Sequence, residues 1–298
     1  MTTWKGKTRG GLAGYMIFVS VLRYSGLSAA YFLLRFVALY FFLFNPRSFR
    51  TIREFYRKRL GYKPLRSITA VYTNYYRFGQ VLLDRIALMA GFRSEFSFIF
   101  EGEEYLQRMV DEKTGGLLIS GHTGNFEMAG YMLERLNAVV NVIMFDAEHQ
   151  NIKSYLDTVT ERNFRVIVIK EDNSHIYEIN RAFREKELVC IHGDRFLPDS
   201  KKLPVPFMGE EAFFPTGPFY LAMKFNVPVS FVFAMKEDAG QYHFYASRTQ
   251  YYTQEGLQQK RDLKILEIIK QYAGEFEAVI RKYPEQWFNY YDFWEKDE

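Results

Sequence analysis

A run of 19 residues with one charge, from Gly26 to Phe44, constrains this chain more than any other feature of its sequence. Crossing a bilayer takes about 20 apolar residues, so the run is just long enough for one span, with Arg35 as a costly charge inside it. A second apolar stretch, Leu12 to Leu22, is too short to span alone. The sequence predicts a single anchor or a shallow helical pair within one leaflet, with a pair of buried core helices as the alternative.

Basic residues are concentrated around this apolar run. Residues 1–66 hold 13 Lys and Arg against one acidic residue, Glu54, whereas the remaining chain has 26 basic and 34 acidic residues. This asymmetry predicts an N-terminal segment that meets an anionic membrane, and the negative remainder argues against nucleic-acid binding. The basic residues after the run favour a cytoplasmic location for the rest of the chain, although the N-terminal flank is basic too. We expect an anchor in residues 1–63 and one domain in residues 64–298.

The composition excludes several other classes of protein. Over 298 residues the mean hydropathy is -0.23, which argues against a polytopic membrane protein, and the 48% of hydrophobic residues argues against disorder. Cys190 is the one cysteine in the sequence, so the chain has no internal disulfide and no Cys-rich zinc site.

After residue 91, short apolar runs alternate with helical patterns. This repetition predicts an α/β domain with a largely parallel or mixed central sheet flanked by helices, and with its active site at the carboxyl ends of the strands. The predicted strands cover 116–120, 139–145, 164–169, 187–192, 227–234 and 242–247. The predicted helices cover 64–90, 125–136, 148–162, 175–186, 218–225 and 259–282.

The segment from Ser120 to Glu127, Ser-Gly-His-Thr-Gly-Asn-Phe-Glu, carries the clearest chemical signal. His122 comes just after the end of a predicted strand, and Glu127 falls in the first turn of the next helix. Gly121 and Gly124 permit the tight turn that would bring the two side chains together. A carboxylate that holds one imidazole nitrogen leaves the other to act as a general base. We therefore predict a catalytic dyad of His122 and Glu127.

A reaction that passes through a tetrahedral intermediate would also need donors for its oxyanion. Candidates are the backbone N–H groups of residues 121–124, at the amino end of the 125–136 helix, and the side chain of Arg162, Arg165 or Arg195. The His–Glu spacing differs from the H-E-x-x-H pattern of zinc enzymes, so no metal and no cofactor is predicted.

These residues resemble the H-x4-D/E motif of the glycerolipid acyltransferase superfamily, in the form found in the late acyltransferases of lipid A biosynthesis. Five further segments resemble that family in the right order, and its members also have a hydrophobic N-terminal anchor. The segments are Ile191–Arg195, Val205–Gly209, Pro215–Pro218, Val227–Val229 and Tyr283–Trp287.

The resemblance implies transfer of a fatty acyl group from acyl-carrier protein or acyl-CoA to a hydroxyl of a lipid acceptor, first of all a lipid A precursor. His122 would take the hydroxyl proton and Glu127 would orient the imidazole. No covalent acyl-enzyme is implied, so neither Ser120 nor Cys190 is predicted as a nucleophile. The expected location is the cytoplasmic face of the inner membrane.

The same resemblance leaves the acceptor open, because His192 stands where the family usually has the first acid of an Asp-x-Asp pair. Another glycolipid, a lysophospholipid, or an aryl-polyene or resorcinol-type lipid is an alternative acceptor. A thioesterase or lipid hydrolase on the same dyad, and a non-catalytic basic membrane adaptor, are the competing functions. The predicted substrate-binding residues are Gly124, Asn125, Asp194, Arg195, Thr216 and Gly217, with Thr216 as a helix N-cap and Pro218 in the first turn.

Overall fold

The computed structural model describes residues 12–89, 91–125, 128, 134–145, 164–170, 172, 174–195, 200–252 and 258–295. The helices are α1 (Leu12–Phe44), α2 (Pro46–Glu54), α3 (Pro64–Met89), α4 (Glu103–Asp111), α5 (His175–Arg184), α6 (Gly217–Phe225) and α7 (Gln258–Lys282). The strands are β1 (Ser97–Glu101), β2 (Gly116–Ser120), β3 (Val140–Phe145), β4 (Phe164–Ile169), β5 (Leu188–His192), β6 (Lys202–Phe207), β7 (Glu210–Pro215), β8 (Val229–Asp238) and β9 (Gln241–Ala246). Helical turns of other types cover Phe55–Arg59 (a π-helix), Arg93–Glu95, Glu134–Leu136 and Pro284–Gln286.

Seven of the described strands form one sheet in the order β1-β9-β8-β2-β5-β3-β4. Neighbouring strands run parallel except β8 and β9, which form an antiparallel pair. Strands β6 and β7 form a separate antiparallel hairpin. The predicted α/β class, with a mixed and largely parallel sheet, is therefore confirmed.

Strand β2 lies at the centre of this sheet and is buried on both faces. Leu117 and Ile119 point toward a core that includes Ile269 of α7, whereas Leu118 points into a second core that includes Leu106 of α4. The two directions result from the two-residue period of a strand, and a run that is apolar on both faces is typical of a parallel strand covered by helices. The Gly-Leu-Leu-Ile-Ser sequence is therefore suited to the centre of the sheet.

The two predicted N-terminal apolar stretches form one bent helix, α1. The bend is at Gly26, whose φ of +79° lies in the left-handed region that glycine adopts without strain. One face of α1 packs closely on α3, because a Cβ atom at Gly79 would lie 2.4 Å from Cδ1 of Leu34. Residues 16–44 are long and apolar enough to cross a membrane, and 28% of their most apolar stretch is buried. One side of α1 contributes to the core, through residues such as Ala30 and Leu34, and large apolar side chains on the other side are exposed.

Several elements differ from the sequence-based prediction or lie outside it. Strand β1, helix α4 and the β6–β7 hairpin were not predicted, and all three are short or partly exposed. The predicted helix at 148–162 lies outside the described residues, as does most of the one at 125–136.

Candidate active site

The carboxyl ends of β2 and β5 meet at one edge of the sheet, where Ser120 is paired with His192. A titratable side chain stands two residues after the end of each strand, His122 after β2 and Asp194 after β5. The N–H of Gly193 donates to the carbonyl of Ser120 at 2.8 Å, which ties the two strand ends together. This is the edge at which parallel α/β sheets carry their ligands. The fold therefore brings together two predicted site residues that are 72 positions apart.

Both carboxylate oxygens of Asp194 contact the same residue. Oδ1 lies 2.8 Å from Nδ1 of His122, and Oδ2 accepts a hydrogen bond from the backbone N–H of His122 at 2.9 Å. The side chain of Asp194 is 2% exposed and that of His122 is 12% exposed. Burial alone would raise the pKa of Asp194, but the adjacent His122, Arg195 and His192 outweigh burial and hold this pKa below its usual range.

The ionised Asp194 determines which tautomer the imidazole of His122 adopts. Because a carboxylate accepts a hydrogen bond, Nδ1 of the neutral imidazole carries the proton, and Nε2 is the nitrogen with a lone pair to act as a base. The sequence predicted this orienting role for Glu127 and a substrate-binding role for Asp194. Glu127 lies outside the described residues, so its pairing with His122 stays a prediction, whereas Asp194 is observed beside Nδ1.

His192 is a site residue that the sequence alone did not predict. Its ring centroid lies 4.2 Å from that of His122, with the two planes inclined by 59°. Strand β5 places it there, because His192 is the last residue of the strand paired with β2. The available signal was its place in the sequence, two residues before Asp194, where the related family has the first acid of its Asp-x-Asp pair.

The three arginines considered as oxyanion donors differ in position. Arg165 lies near the start of β4, at the opposite end of its strand from the active edge, and its Nη1 pairs with Glu187 at 2.7 Å. Arg165 is therefore not an oxyanion donor. Arg162 lies outside the described residues. Arg195 directly adjoins Asp194, and its Nη2 donates to the carbonyl of Phe288 at 3.4 Å, so it is the candidate that the geometry favours.

The backbone N–H groups of residues 121–124 were predicted as candidate oxyanion donors, and three of them have protein acceptors in the structure. His122 N donates to Asp194, Thr123 N donates to the carbonyl of Gly121 at 2.7 Å, and Gly124 N donates to the carbonyl of Gln286 at 3.0 Å. Donors that already have protein acceptors do not point at a substrate without first breaking a bond. These amides hold the loop in shape.

Gly124 and Asn125 anchor the same loop to the sheet. Gly124 has a φ of +61°, and a Cβ atom there would lie 2.1 Å from the carbonyl oxygen of Ala234. The amide of Asn125 donates to a carbonyl of α3 and to the hydroxyl of Tyr242, both at 3.3 Å, and accepts from the N–H of Met128 at 3.2 Å. Both residues are committed to structural contacts, and their role in binding substrate stays a prediction.

A segment near the C-terminus, residues 286–288, packs against the loop that carries His122; we name it the C-terminal strap. Trp287 forms an isolated antiparallel bridge with Thr123. Phe288 N donates to the carbonyl of His122 at 3.1 Å, and the Thr123 hydroxyl donates to the carbonyl of Gln286 at 3.0 Å. Trp287 is buried, so its role in the structure is packing.

Comparison with known families bears directly on this site. Residues 10–295 match the family model described as bacterial lipid A biosynthesis acyltransferase. The chain belongs to this family. It is therefore an acyltransferase that uses an acyl donor and a lipid acceptor, and the non-catalytic adaptor is set aside. A search of the curated proteins returned no match. Family membership and the apolar helix α1 together suggest that the acyltransferase associates with a membrane.

Behind the loop, the acyltransferase contains a buried ion pair that the sequence did not reveal. Lys236 Nζ lies 2.6 Å from Oδ2 of Asp84, and both side chains are fully buried. The hydroxyls of Tyr31 and Tyr242 also donate to the Asp84 carboxylate. Tyr242 is the residue that receives a hydrogen bond from Asn125. The network thus joins α1, α3, β8 and β9 directly behind the His122 loop.

The start of α6 was predicted to be a binding site built on a helix N-terminus. Thr216 stands at the N-cap position and Pro218 lies in the first turn, as predicted. The Thr216 hydroxyl, however, donates to the carbonyl of Lys201 at 3.0 Å and makes no cap hydrogen bond. A Cβ atom at Gly217 would meet nothing within 4 Å. The binding role of Thr216 and Gly217 in the acyltransferase stays a prediction.

Proposed function

We propose that this protein is a membrane-bound O-acyltransferase that moves a fatty acyl chain from acyl-carrier protein or acyl-CoA to a hydroxyl of a lipid A-type glycolipid. The observation that carries the proposal is the buried Asp194 carboxylate, 2.8 Å from Nδ1 of His122 at the ligand-binding edge of the sheet, in a member of this family. An imidazole oriented in this way is suited to take a proton from an alcohol.

In the proposed reaction, Nε2 of His122 removes the proton of the acceptor hydroxyl as its oxygen attacks the thioester carbonyl carbon. The new C–O bond gives a tetrahedral oxyanion, and collapse of this intermediate breaks the C–S bond. The departing thiolate takes the proton from the imidazolium, which returns His122 to its neutral form. Asp194 stabilises the imidazolium while it exists, because a buried anion beside a developing cation acts in a low dielectric. We assign the same supporting role to Glu127.

The oxyanion needs a cationic or N–H donor, and removal of one such donor typically costs about 3–4 kcal/mol of transition-state stabilisation. Arg195 is our candidate, because it adjoins Asp194 and the amides of residues 122–124 already have protein acceptors. Its guanidinium donates a long hydrogen bond of 3.4 Å to Phe288 and lies 6.0 Å from the ring centroid of Tyr291. Asp194 and Arg195 would thus serve the reaction itself rather than bind the acceptor from a distance.

We further propose that residues 1–63 anchor the protein to the cytoplasmic face of the inner membrane and that residues 64–298 form the catalytic domain. Support comes from large apolar side chains that α1 leaves exposed along one side, among them Phe32, Phe36 and Leu43. The basic residues C-terminal to α1 favour the cytoplasmic side.

The test uses the purified full chain with a labelled acyl thioester, offered either on carrier protein or as the CoA ester, and a panel of lipid acceptors. Mass spectrometry identifies the product. The proposal predicts an acylated lipid A precursor, with the rate reduced at least a hundredfold by His122→Ala and unchanged by His175→Ala, a histidine at the start of α5. Free fatty acid as the main product would instead make the protein a thioesterase, and faster transfer to a lysophospholipid would change the acceptor.

A further inference from the structure

A cavity of about 790 Å³ opens beside the junction of α1 and α2, away from the His122 loop and its contacts. Four basic side chains line it, Arg50, Arg53, Arg57 and Lys58, against one acidic lining residue, Glu54. Cations placed this close together repel one another, and the repulsion is relieved when an anion binds among them. The lining therefore carries three more positive than negative charges.

Three of these four cations have no ionic partner in the described part of the chain. Lys58 Nζ lies 2.9 Å from Glu54, whereas no described carboxylate comes within ion-pair distance of Arg50, Arg53 or Arg57. The Nε atom of Arg53 is, in addition, inaccessible to solvent and has no hydrogen-bond partner among the described residues. A guanidinium without an ionic partner is suited to bind a phosphate, because it presents several N–H donors in a fixed planar fork.

The position of the cavity relative to α1 indicates which kind of phosphate compound could bind in it. Helix α1 ends at Phe44, and α2, which supplies part of the lining, begins at Pro46. Along the last turns of α1, large apolar side chains are exposed on one side. These are Phe32, Phe36, Leu39, Tyr40, Leu43 and Phe44. When that side enters the hydrocarbon layer, the end of α1 and the cavity lie at the depth of the lipid headgroups.

We propose that this cavity binds the phosphate group of an anionic membrane phospholipid. The inference rests on the proposed membrane association and adds a specific site to it. An acidic carrier protein is a second anionic partner, but it would not account for the exposed apolar side that leads to the cavity.

A bound lipid would also stabilise the position of the C-terminal strap. Phe55, two residues after Arg53, packs on Trp287 at a centroid distance of 4.8 Å. Trp287 is the strap residue that pairs with Thr123.

The test titrates short-chain dihexanoyl phosphatidylglycerol, below its micelle concentration, into the full chain in a neutral detergent and monitors binding by calorimetry. The variant Arg53→Gln with Arg57→Gln removes two lining cations. The matched control, Arg47→Gln with Lys63→Gln, removes two exposed cations of the same segment that do not line the cavity. The proposal predicts at least tenfold weaker binding for the first variant and less than a twofold change for the second.

Equal losses in the two variants would overturn the proposal, because binding would then depend on net charge alone. Inorganic phosphate that binds as tightly as the lipid, or carrier protein that shows the variant effect while the lipid does not, would overturn it too. If Arg53→Gln fails to fold, the exposed pair Arg50→Gln with Arg57→Gln takes its place with the same expectation. Lipid binding by His122→Ala stays at the wild-type level, so failure of this site and failure of the proposed reaction are distinguishable.

Discussion

Asp194 reaches His122 with both of its carboxylate oxygens, one on the ring Nδ1 and one on the backbone N–H. A single residue thus sets both the rotation of the imidazole and the position of the loop that carries it. Two hydrogen bonds to one buried carboxylate make its ionised form the stable one. This relationship has a measurable consequence for how the fold responds to acid.

Asp194→Asn is expected to destabilise the protein at neutral pH, with a difference that shrinks in acid. The pKa of Asp194 is lower in the folded chain than its ordinary value of about 3.9, so the folded state binds this proton more weakly than the unfolded state. The stabilisation is present above about pH 4 and is lost as the pH falls toward the folded-state value. Thermal unfolding midpoints from pH 7 to pH 3 measure it.

The control for this experiment is Asp262→Asn, which removes a half-exposed carboxylate paired with Lys201 at the surface. Its midpoint should match that of the wild type at every pH, since exposed ion pairs contribute little. A constant difference between Asp194→Asn and the wild type over the whole pH range would contradict an ionised, stabilising Asp194.

Gly124→Ala is expected to lower both stability and turnover. The left-handed φ costs a non-glycine residue about 1–2 kcal/mol, and the added Cβ would collide with the carbonyl of Ala234, which moves the His122 loop. Gly274→Ala in α7 is the matched control, because a Cβ there meets nothing within 4 Å. That change should stabilise the helix by roughly 0.5–1 kcal/mol and leave turnover unchanged. Similar effects of the two substitutions would refute the steric argument.

Lys236→Met is expected to destabilise the fold by about 3–5 kcal/mol, because it leaves the buried Asp84 carboxylate without its cation. Urea unfolding monitored by tryptophan fluorescence measures the change in free energy of unfolding. The surface pair of Lys201 with Asp262 supplies the comparison, and Lys201→Met should cost less than about 1 kcal/mol. If both substitutions cost the same, the buried pair does not stabilise the protein as described.

Cys190→Ala is expected to transfer acyl chains at the wild-type rate. Burial raises the pKa of the Cys190 thiol to about 12, so hardly any nucleophilic thiolate exists at neutral pH. A thiol reagent added to the folded protein at pH 8 should label it far more slowly than the same protein in denaturant. Acyl label recovered on Cys190, or a large loss of activity in the variant, would reopen the question of a covalent intermediate.

The class of the fold is predictable from the sequence because the strongest signals are local. The apolar segments at 116–120 and 164–169 become β2 and β4 with the predicted bounds. His122 could be predicted as a site residue from its place just after a central strand, whereas Asp194 was predicted through the family resemblance of the segment Ile191–Arg195.

The contacts that could not be predicted from the sequence join residues that are far apart in it. The pairing of Asp194 with His122 results from the alignment of β2 with β5, which no periodicity specifies. The contact between Trp287 of the strap and Thr123 also joins residues that are far apart in the sequence, and no local pattern predicts it. Edge strand β1 was not predicted because its residues are alternately exposed and half-buried, so it lacks the apolar run of a central strand.

The rate of acyl transfer from a labelled thioester to a lipid hydroxyl, measured in a single turnover with His122→Ala and Asp194→Asn, tests the central claim most directly. We expect His122→Ala to lose about two to four orders of magnitude, and Asp194→Asn to lose at least tenfold while the substrate still binds. Parallel measurement of Glu127→Gln shows whether a second carboxylate shares the role. Transfer at the wild-type rate by either His122→Ala or Asp194→Asn would contradict the assignment of His122 as a base oriented by Asp194.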